Sequence, residues 1–510
     1  MSTSNGKLLL KPFRCSALGD FIQCEKPNIV DAICEECSNL KLNRKNNDLY
    51  SFSQSNDLSQ IKNVGPLLAK VRRFLQGDVR KWLSQLTDST LSDHVSMTVS
   101  CYNYTDILLC HDDKLENRRF AYVIYLSPDW REECGGKLEI FTTDDSNNPI
   151  QTVESISPLQ NIFMFFEVLP NSFHQVAEVT EPGYSRMSIN GWFHGAPTRR
   201  PSVTINATYR LISPGFVEVG MCNGIVFYYK DIITWINPQY VDGASHPKIR
   251  ETFENDSEIA LRNFLQKDKY DTVMQELSNP HLEWAPKLPL NKRKYSSLAA
   301  GINSVKMPAL NKCLEIMKSS AFFLLLSQLT GLSLYPFNLE DSKKESPTKN
   351  GHIYLIMLMV HDPTNFIVLG RQSADDSDQA GPSKIQKLEE ESDDKLKDEC
   401  LAKCKLEIRR FNRGCYTLLH DDGTDSSIDE RKFALDAQLF FTSSQWKVNR
   451  GGYTCYVAKD EDEELLTIVP RRNTLALVYR EDDTMKFVKY LNNRVGSAEF
   501  IDIAGVYYDK

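Results

Sequence analysis

The clearest hydrophobic pattern in the chain is a helical one between residues 67 and 86. Its apolar positions recur with the spacing of one helix face, and they are Leu68, Val71, Phe74, Leu75, Trp82 and Leu83. This spacing predicts an amphipathic helix whose apolar stripe packs against a sheet. The stretch 162–166 is instead short and continuously apolar, which is typical of a buried strand.

Between residue 97 and about residue 194, short strand-like segments alternate with turns such as the polar stretch 144–149. Regularly spaced short strands are typical of sandwiches and barrels. We interpret them as a double-stranded β-helix, the jelly-roll arrangement. A strand at 49–52 precedes this part, and charged helices are predicted between 247 and 279. A second β-rich part then runs to Lys510.

Composition indicates a globular intracellular chain. The 510 residues suggest two or three domains, at about 100–200 residues each. Thirteen cysteines are scattered, and residues 1–11 lack the apolar core of an export signal. We therefore expect reduced thiols in the cytosol or the nucleus. The CxxC at 34–37 has no second pair, so neither zinc nor redox chemistry is expected there. The longest apolar run, 321–329, is too short for a membrane span and predicts a buried helix.

The net charge of −8 is concentrated in one segment. Residues 373–399 hold ten acidic and four basic side chains and no aromatic residue. Such a stretch cannot bury enough apolar surface to fold, so we expect a disordered acidic loop. Lysine and arginine nowhere cluster with aromatic residues, and we therefore expect no direct binding of nucleic acid.

The triplet 111–113 and the distant His174 carry the main chemical signal. On a strand, alternate side chains share a face, so we expect His111 and Asp113 to project together while Asp112 points away. Two imidazoles and one carboxylate on one side of a metal leave its other side open. This arrangement is the facial triad of non-haem Fe(II) oxygenases.

Arg186 follows His174 by twelve residues and is expected to share a strand face with Ser188. A planar guanidinium suits the far carboxylate of a chelating co-substrate, because the pairing can be bidentate and charge-assisted. An HxD motif, a distal histidine and a downstream RxS motif, in that order, describe a 2-oxoglutarate-dependent oxygenase. The alternative is a salt-bridged surface arginine with two core histidines. We prefer that alternative for any single residue, but not for the ordered set.

Longer stretches of the chain resemble one known family, the eukaryotic ribosomal prolyl 3-hydroxylases. These are Fe(II)- and 2-oxoglutarate-dependent enzymes of the termination-and-polyadenylation type. The matching stretches are 47–50, 54–55, 57–58, 108–113, 173–176, 191–195, 235–238, 461–467 and 475–480. The resemblance covers most of the chain. Residues 202–229 and 342–405 fit poorly, and we interpret them as lineage-specific insertions or loops.

The resemblance implies an iron site and a co-substrate site. His111, Asp113 and His174 would bind Fe(II), with dioxygen taking the open position. The co-substrate 2-oxoglutarate would chelate the iron and pair its distal carboxylate with Arg186. L-ascorbate is implied as a further cofactor.

Three more residues receive roles from the resemblance. Tyr125 matches a tyrosine that hydrogen-bonds the distal carboxylate, although a core aromatic residue is the alternative interpretation. Ser188 would assist more weakly. Tyr102 matches another active-site tyrosine and would contact the co-substrate or the substrate.

The implied substrate is a proline of a small-subunit ribosomal protein near the decoding centre, hydroxylated at carbon 3, with an effect on translation accuracy or termination. Implied partners are translation-termination or mRNA-associated complexes, in the nucleus and the cytoplasm, and no membrane is involved. Two alternatives stay open. One is the same chemistry on another protein substrate, by a lysyl hydroxylase or a demethylase. The other is a non-catalytic scaffold.

The second β-rich part carries a faint copy of the first. Residues 415–422 echo the segment around the first HxD motif, including His420 and Asp422. In the alignment of the two parts, Val488 takes the position of the distal histidine and Phe500 that of the arginine. This copy would lack a third ligand and the carboxylate anchor. We therefore expect a degenerate copy with a structural or substrate-docking role.

These observations predict an α+β, mainly β fold with two double-stranded β-helix domains and flanking helices. Residues 1–215 would form the catalytic oxygenase domain and residues 216–280 a connecting segment with helices. Residues 281–510 would form the non-catalytic, degenerate domain, interrupted by the acidic loop at about 373–399.

Overall fold

The computed structural model describes most of the chain. The described residues are 2–3, 6–23, 28–115, 117–196, 217–219, 225–298, 307–334, 402–419, 433–443, 445–459, 464–481 and 483–508. The acidic stretch 373–399, most of the segments 202–229 and 342–405, and the pair His420 and Asp422 lie outside the described residues.

The N-terminal half consists of short strands and helices that alternate along the chain. In chain order its elements are β1 (Ser2–Thr3), β2 (Gly6–Leu9), β3 (Cys15–Leu18), α1 (Ile29–Ser38), β4 (Asn43–Asn46), β5 (Tyr50–Gln54), α2 (Pro66–Phe74), α3 (Arg80–Thr87), β6 (Leu91–Val95), β7 (Thr98–Tyr102), β8 (Ile107–His111), β9 (Arg118–Tyr125), β10 (Leu138–Thr143), β11 (Pro149–Ile156), β12 (Phe163–Glu167), β13 (His174–Val176) and β14 (Arg186–Gly195). The strand predicted at 162–166 is confirmed as β12.

The helix predicted at 67–86 is confirmed as α2 and α3, which are joined through a π turn at Leu75–Val79. Leu83 is buried as predicted, whereas Phe74 and Trp82 are 41% and 39% exposed. A π turn inserts one residue and changes the relative rotation of the two helical parts. The predicted apolar positions therefore do not form one continuous stripe, and Phe74 and Trp82 lie partly outside the buried face.

The strands of this half form a curled antiparallel sheet. Their order is β1-β2-β3-β12-β9-β14-β7-β5-β8-β13-β10-β11, with β4 beside β5 and β6 beside β14. One face packs against α1, α2 and α3. The other face encloses an interior lined by aromatic and aliphatic side chains, among them Phe52, Tyr102, Tyr125, Ile140, Phe166 and Val176. The mainly β character of the prediction is confirmed, and the curl is consistent with a jelly roll.

The C-terminal half begins with helices and ends with strands. In chain order its elements are β15 (Val217–Val219), α4 (Ile225–Trp235), α5 (Pro238–Val241), α6 (His246–Asp256), β16 (Glu258–Arg262), α7 (Lys267–Leu277), β17 (Trp284–Lys287), β18 (Arg293–Leu298), α8 (Pro308–Met317), α9 (Ser320–Thr330), β19 (Ala402–Phe411), β20 (Tyr416–Thr417), β21 (Phe433–Phe441), β22 (Thr454–Ala458), β23 (Glu464–Ile468), β24 (Thr474–Glu481), β25 (Thr484–Val488) and β26 (Phe500–Tyr508).

The strand order of this half repeats that of the first. The order β24-β21-β26-β19 corresponds to β12-β9-β14-β7, and β23-β22-β25 corresponds to β11-β10-β13. The helices predicted between 247 and 279 are confirmed as α6 and α7. Between them lies a strand that the sequence pattern did not predict, β16, which pairs with β24 at the edge of the sheet.

The helix predicted at 321–329 is confirmed as α9. Phe322, Phe323 and Leu326 are fully buried in the core that α9 shares with α8 and the C-terminal sheet. Among the helices of the described residues, none is both long and apolar enough to cross a membrane.

Matching turns allow the two sheets to be aligned. The indole N–H of Trp130 donates to the Gly135 carbonyl at 2.8 Å, and that of Trp446 donates to the Gly451 carbonyl at the same distance. Each of these turns contains a short 3₁₀ segment and leads into the equivalent strand, β10 or β22. The two halves therefore share a local structure as well as a strand order.

The glycines after these turns identify the position that corresponds to Arg186. A Cβ on Gly136 would lie 3.0 Å from the Arg186 side chain, and a Cβ on Gly452 would lie 3.0 Å from the Phe500 ring. The predicted correspondence of Phe500 with Arg186 therefore agrees with the structure.

The predicted correspondence of Val488 with His174 is wrong by two residues. Ile140, four residues after Gly136, pairs with His174. Tyr456, four residues after Gly452, pairs with Lys486. Lys486 therefore takes the position of His174. The residue spacing agrees with the structure, because Asn161 precedes His174 by 13 residues and Asn473, in the equivalent left-handed position before β24, precedes Lys486 by the same number.

The two halves contact each other through a hydrogen-bonded interface. Glu178 accepts hydrogen bonds from the backbone N–H of Asn493 at 2.5 Å and from the Tyr490 hydroxyl at 3.3 Å. The Lys489 ammonium, which is almost completely buried, donates to the Asn47 carbonyl. The C-terminal half thus covers part of the first sheet.

Candidate functional site

Two histidines face each other across neighbouring strands. His111 is the last residue of β8, His174 is the first residue of β13, and the two are directly paired in the sheet. Their ring centroids lie 4.2 Å apart. Strand register therefore brings together two side chains that are 63 residues apart in the sequence.

Asp113 joins these histidines, but not for the reason predicted from the sequence. β8 ends at His111, and Asp113 has a φ of +59°, so strand alternation does not orient its side chain. A left-handed turn does so instead. Its Oδ1 lies 3.5 Å from His111 Nε2, and its Oδ2 lies 3.5 Å from His174 Nε2. The three side chains offer ligand atoms that all lie within 4.8 Å of one another.

Backbone carbonyls orient both imidazole rings. His111 Nδ1 lies 2.8 Å from the Leu109 carbonyl, and His174 Nδ1 lies 2.8 Å from the Ser172 carbonyl. A carbonyl oxygen only accepts, so each Nδ1 carries the hydrogen. In the neutral ring this leaves the Nε2 lone pair pointing towards the Asp113 carboxylate. The arrangement holds a metal-binding tautomer at both positions.

Burial and mutual charge shift the pKa values of the three groups. Burial and the neighbouring His111 lower the pKa of His174 to about 4. For His111, burial is outweighed by the hydrogen bond and charge of Asp113, so its pKa is raised. For Asp113, burial is outweighed by the two histidines and Arg118, so its pKa is lowered. At neutral pH the cluster therefore contains a carboxylate and a neutral His174, as metal binding requires.

Arg186 lies in the same interior with its charge buried. It is 1% exposed, its Nε donates to the Gly136 carbonyl at 2.8 Å, and no carboxylate of the described residues lies within 4.0 Å of it. The guanidinium carbon lies 5.0 Å from the ring centre of Tyr102 and 5.1 Å from that of Tyr125. The pocket thus presents a positive charge between two tyrosines, an arrangement that suits an anion.

The two tyrosines are neutral hydrogen-bond donors. Burial raises the pKa of Tyr125 to about 12, although the charge of Arg186 opposes this shift. Burial likewise raises the pKa of Tyr102. Ser188, 1% exposed, pairs with Tyr125 in the sheet and lies two residues from Arg186 on the same face of β14. The structure therefore brings all four predicted co-substrate residues into one interior.

Two residues beside the triad were not predicted from the sequence. The Trp192 indole N–H donates to Asp113 Oδ2 at 3.2 Å, and Arg118 Nη1 lies 3.6 Å from Asp113 Oδ1. Trp192 belongs to the two-residue alternation of Arg186 and Ser188 on β14, so this signal was available. No comparable signal existed for Arg118.

Comparison with known proteins identifies the family. Residues 97–194 match the family model described as the 2OG-Fe(II) oxygenase superfamily. Residues 228–510 match the one described as the oxoglutarate and iron-dependent oxygenase degradation C-terminal domain. The mouse protein named prolyl 3-hydroxylase OGFOD1 is 35% identical over 98% of this chain and 90% of its own length. The chain belongs to this prolyl 3-hydroxylase family. The Xenopus laevis protein of the same name is also 35% identical, over 98% of this chain and 88% of its own length.

The chain also has a partial similarity to a solved structure. A Pseudomonas putida prolyl-4-hydroxylase covers 36% of this chain and 95% of its own length, with 19% identity and a TM-score of 0.30. The family predicted from the motifs is confirmed by the sequence relatives and by both family models, and so is the enzyme class, an iron(II)- and 2-oxoglutarate-dependent oxygenase.

Proposed function

We propose that this enzyme hydroxylates carbon 3 of a prolyl residue in a small-subunit ribosomal protein, using Fe(II), 2-oxoglutarate and dioxygen. The observation that carries the proposal is the convergence of His111, Asp113 and His174, whose ligand atoms lie within 4.8 Å of one another. The prolyl substrate is supported by the names of the mouse and Xenopus relatives. The ribosomal protein is supported by the sequence resemblance.

The residues present fit an iron ion. Two imidazole nitrogens and one carboxylate oxygen form the donor set of the facial triad. Both Nδ1 atoms are engaged by backbone carbonyls, so both Nε2 atoms are available as ligands. His111, Asp113 and His174 would therefore hold the metal. When bound, iron with 2-oxoglutarate supplies the activation of dioxygen that hydroxylation of a C–H bond needs.

The chain also fits the co-substrate. Arg186 would pair with the distal carboxylate of 2-oxoglutarate, because a buried guanidinium without a carboxylate partner among the described residues favours an incoming anion. The Tyr125 and Tyr102 hydroxyls would donate to the same anion, and Ser188 would assist. The Gly136 carbonyl accepts a hydrogen bond from Arg186 Nε and thereby restrains the side chain. These residues bind and orient, which is what the protein contributes to cofactor chemistry.

The aromatic interior would limit the access of water to the reacting atoms. The Phe166 ring packs edge-on against His174 with centroids 4.7 Å apart, and Phe52 stacks on Tyr102 at 4.6 Å. An apolar wall beside the triad would limit solvent access and strengthen charge interactions within the pocket. The substrate proline would approach from the side of the metal that the triad leaves open.

We further propose the surroundings in which this activity operates. Translation-termination or mRNA-associated complexes would bring the enzyme to its substrate in the nucleus and the cytoplasm, and ascorbate would keep the iron reduced. These assignments rest on the sequence resemblance. Hydroxylation of another protein, or demethylation of a lysine, would use the same iron chemistry.

The C-terminal half is proposed to be a degenerate copy of the catalytic fold. The repeated strand order and the matching Trp130 and Trp446 turns support a common architecture. Phe500, in the position of Arg186, stacks on Phe411 with centroids 5.0 Å apart, so an aromatic core fills the space of a co-substrate. A scaffold or substrate-docking role follows. The boundaries 1–215, 216–280 and 281–510 remain proposals.

At the position of His174, the second half has a cation of its own. The Lys486 ammonium donates to Asp436 at 2.8 Å, and the Tyr456 hydroxyl donates to the same carboxylate at 3.1 Å. Asp436 is 1% exposed. A lysine ammonium bound to this buried carboxylate repels a metal ion, which supports a copy without iron.

Mass spectrometry of a candidate ribosomal peptide tests the activity. Hydroxylation adds one oxygen, whereas demethylation removes mass. Product formation should require both Fe(II) and 2-oxoglutarate and should be absent in His111→Ala. An Asp112→Ala variant is the matched control, because this neighbouring carboxylate is outside the triad. One iron per chain is expected, and it should remain after His420→Ala with Asp422→Ala. Turnover without added metal, or two irons per chain, would contradict the assignment.

A further inference from the structure

Asp113 is the member of the triad that no strand holds. His111 and His174 are strand residues, but Asp113 follows the end of β8 with a φ of +59°. Its carbonyl accepts from the Leu115 N–H at 2.8 Å, which closes a tight turn without restraining the carboxylate. The orientation of this carboxylate must therefore come from side chains of other elements.

Two side chains from neighbouring strands supply that restraint. The Trp192 indole N–H, from β14, donates to Asp113 Oδ2 at 3.2 Å. Arg118, at the start of β9, lies with its guanidinium carbon 3.4 Å from the centre of the Trp192 ring. Its Nη1 lies 3.6 Å from Asp113 Oδ1. The guanidinium thus stacks on the indole and contacts the same carboxylate from the other side.

We propose that Trp192, held by the stacked Arg118, is a positioning residue that fixes the Asp113 carboxylate for one-oxygen binding of the metal. The inference rests on the proposed iron site. An indole N–H is a donor only and does not titrate in the physiological range. It therefore holds Oδ2 at any working pH and leaves Oδ1 for the metal. A carboxylate held in this way loses less side-chain freedom when the metal binds.

Binding of Mn(II) to the metal-free protein tests this role without turnover. Trp192→Phe keeps an aromatic ring under Arg118 but removes the N–H. Loss of a hydrogen-bond partner of a metal ligand typically costs about 10–100-fold in metal affinity, and we expect a rise in the Mn(II) dissociation constant of this size. Electron paramagnetic resonance of free Mn(II) measures it directly. Trp82→Phe is the matched control, since Trp82 lies 39% exposed on α3, and it should bind Mn(II) like the unmodified protein.

Three further measurements separate the possible failures. The thermal unfolding of metal-free Trp192→Phe should match that of the unmodified protein, because a merely structural role would lower it. A Co(II) absorption spectrum should change, because a freed carboxylate can bind through both oxygens. Arg118→Lys keeps the charge but loses the planar stack, and it should weaken Mn(II) binding several-fold. It serves as the test if Trp192→Phe does not fold.

The outcomes distinguish this inference from the proposed function. His111→Ala must lose Mn(II) binding if the triad is the metal site, so normal binding there would overturn the site itself. Loss in His111→Ala with unchanged affinity in Trp192→Phe would overturn only the role of Trp192. An unchanged Mn(II) affinity in Arg118→Lys would show that the stacked guanidinium is not needed to hold Trp192.

Discussion

Replacement of Arg186 by lysine should raise the 2-oxoglutarate requirement while leaving the fold in place. Lysine keeps the positive charge but loses the planar, two-pronged fit to a carboxylate. A hydrogen bond to a charged group contributes about 1.5–3 kcal/mol, and each 1.4 kcal/mol corresponds to about tenfold in affinity. Loss of one such bond predicts a KM for 2-oxoglutarate that is about 10- to 150-fold higher.

The assay is succinate formation as a function of 2-oxoglutarate concentration, with saturating Fe(II) and peptide. Arg119→Lys is the control, because Arg119 pairs with Glu167 at 2.7 Å and does not contact the co-substrate residues. Arg186→Lys also removes the Nε–H that donates to the Gly136 carbonyl at 2.8 Å. A modest loss of thermal stability is therefore expected in Arg186→Lys. An unchanged KM would place the carboxylate anchor elsewhere and refute the reasoning.

Three other predictions follow from the same structure. Asp113→Ala should abolish bound iron and turnover, whereas Asp112→Ala should retain both, as measured by metal analysis and succinate formation. Phe500→Ala should lower the free energy of unfolding by about 3–5 kcal/mol, the usual cost of truncating a buried phenylalanine, without changing the iron content. Burial lowers the pKa of Lys489 from 10.5 to about 8, so its buried charge opposes folding below pH 8 and this opposition disappears towards pH 10.5. Urea unfolding should show the unmodified protein gaining stability over Lys489→Met in that window, on the order of 3 kcal/mol in total. Parallel pH profiles would contradict this.

Several local elements were predictable from the sequence, because periodicity reports which face of an element is buried. The helix at 67–86 and the strand at 162–166 follow from that principle, as does the buried helix at 321–329. The ordered motif of His111, Asp113, His174 and Arg186 was also recognisable, because two imidazoles and a carboxylate suit iron and a guanidinium suits the carboxylate of the co-substrate. What periodicity did not indicate was the π turn at Leu75–Val79 or the strand β16 between two helices.

The sequence by itself therefore determined the family, the mainly β fold and the identity of the candidate ligands. Only the tertiary structure decided how they meet. Strand pairing places His174 opposite His111, and a left-handed turn, which alternation along a strand cannot predict, brings in Asp113. The Trp192 hydrogen bond and the correspondence of Lys486 with His174 also depend on register. Register depends on which strands pair and on the turns that connect them, and these strands are distant in sequence, so the pattern within one strand does not determine it.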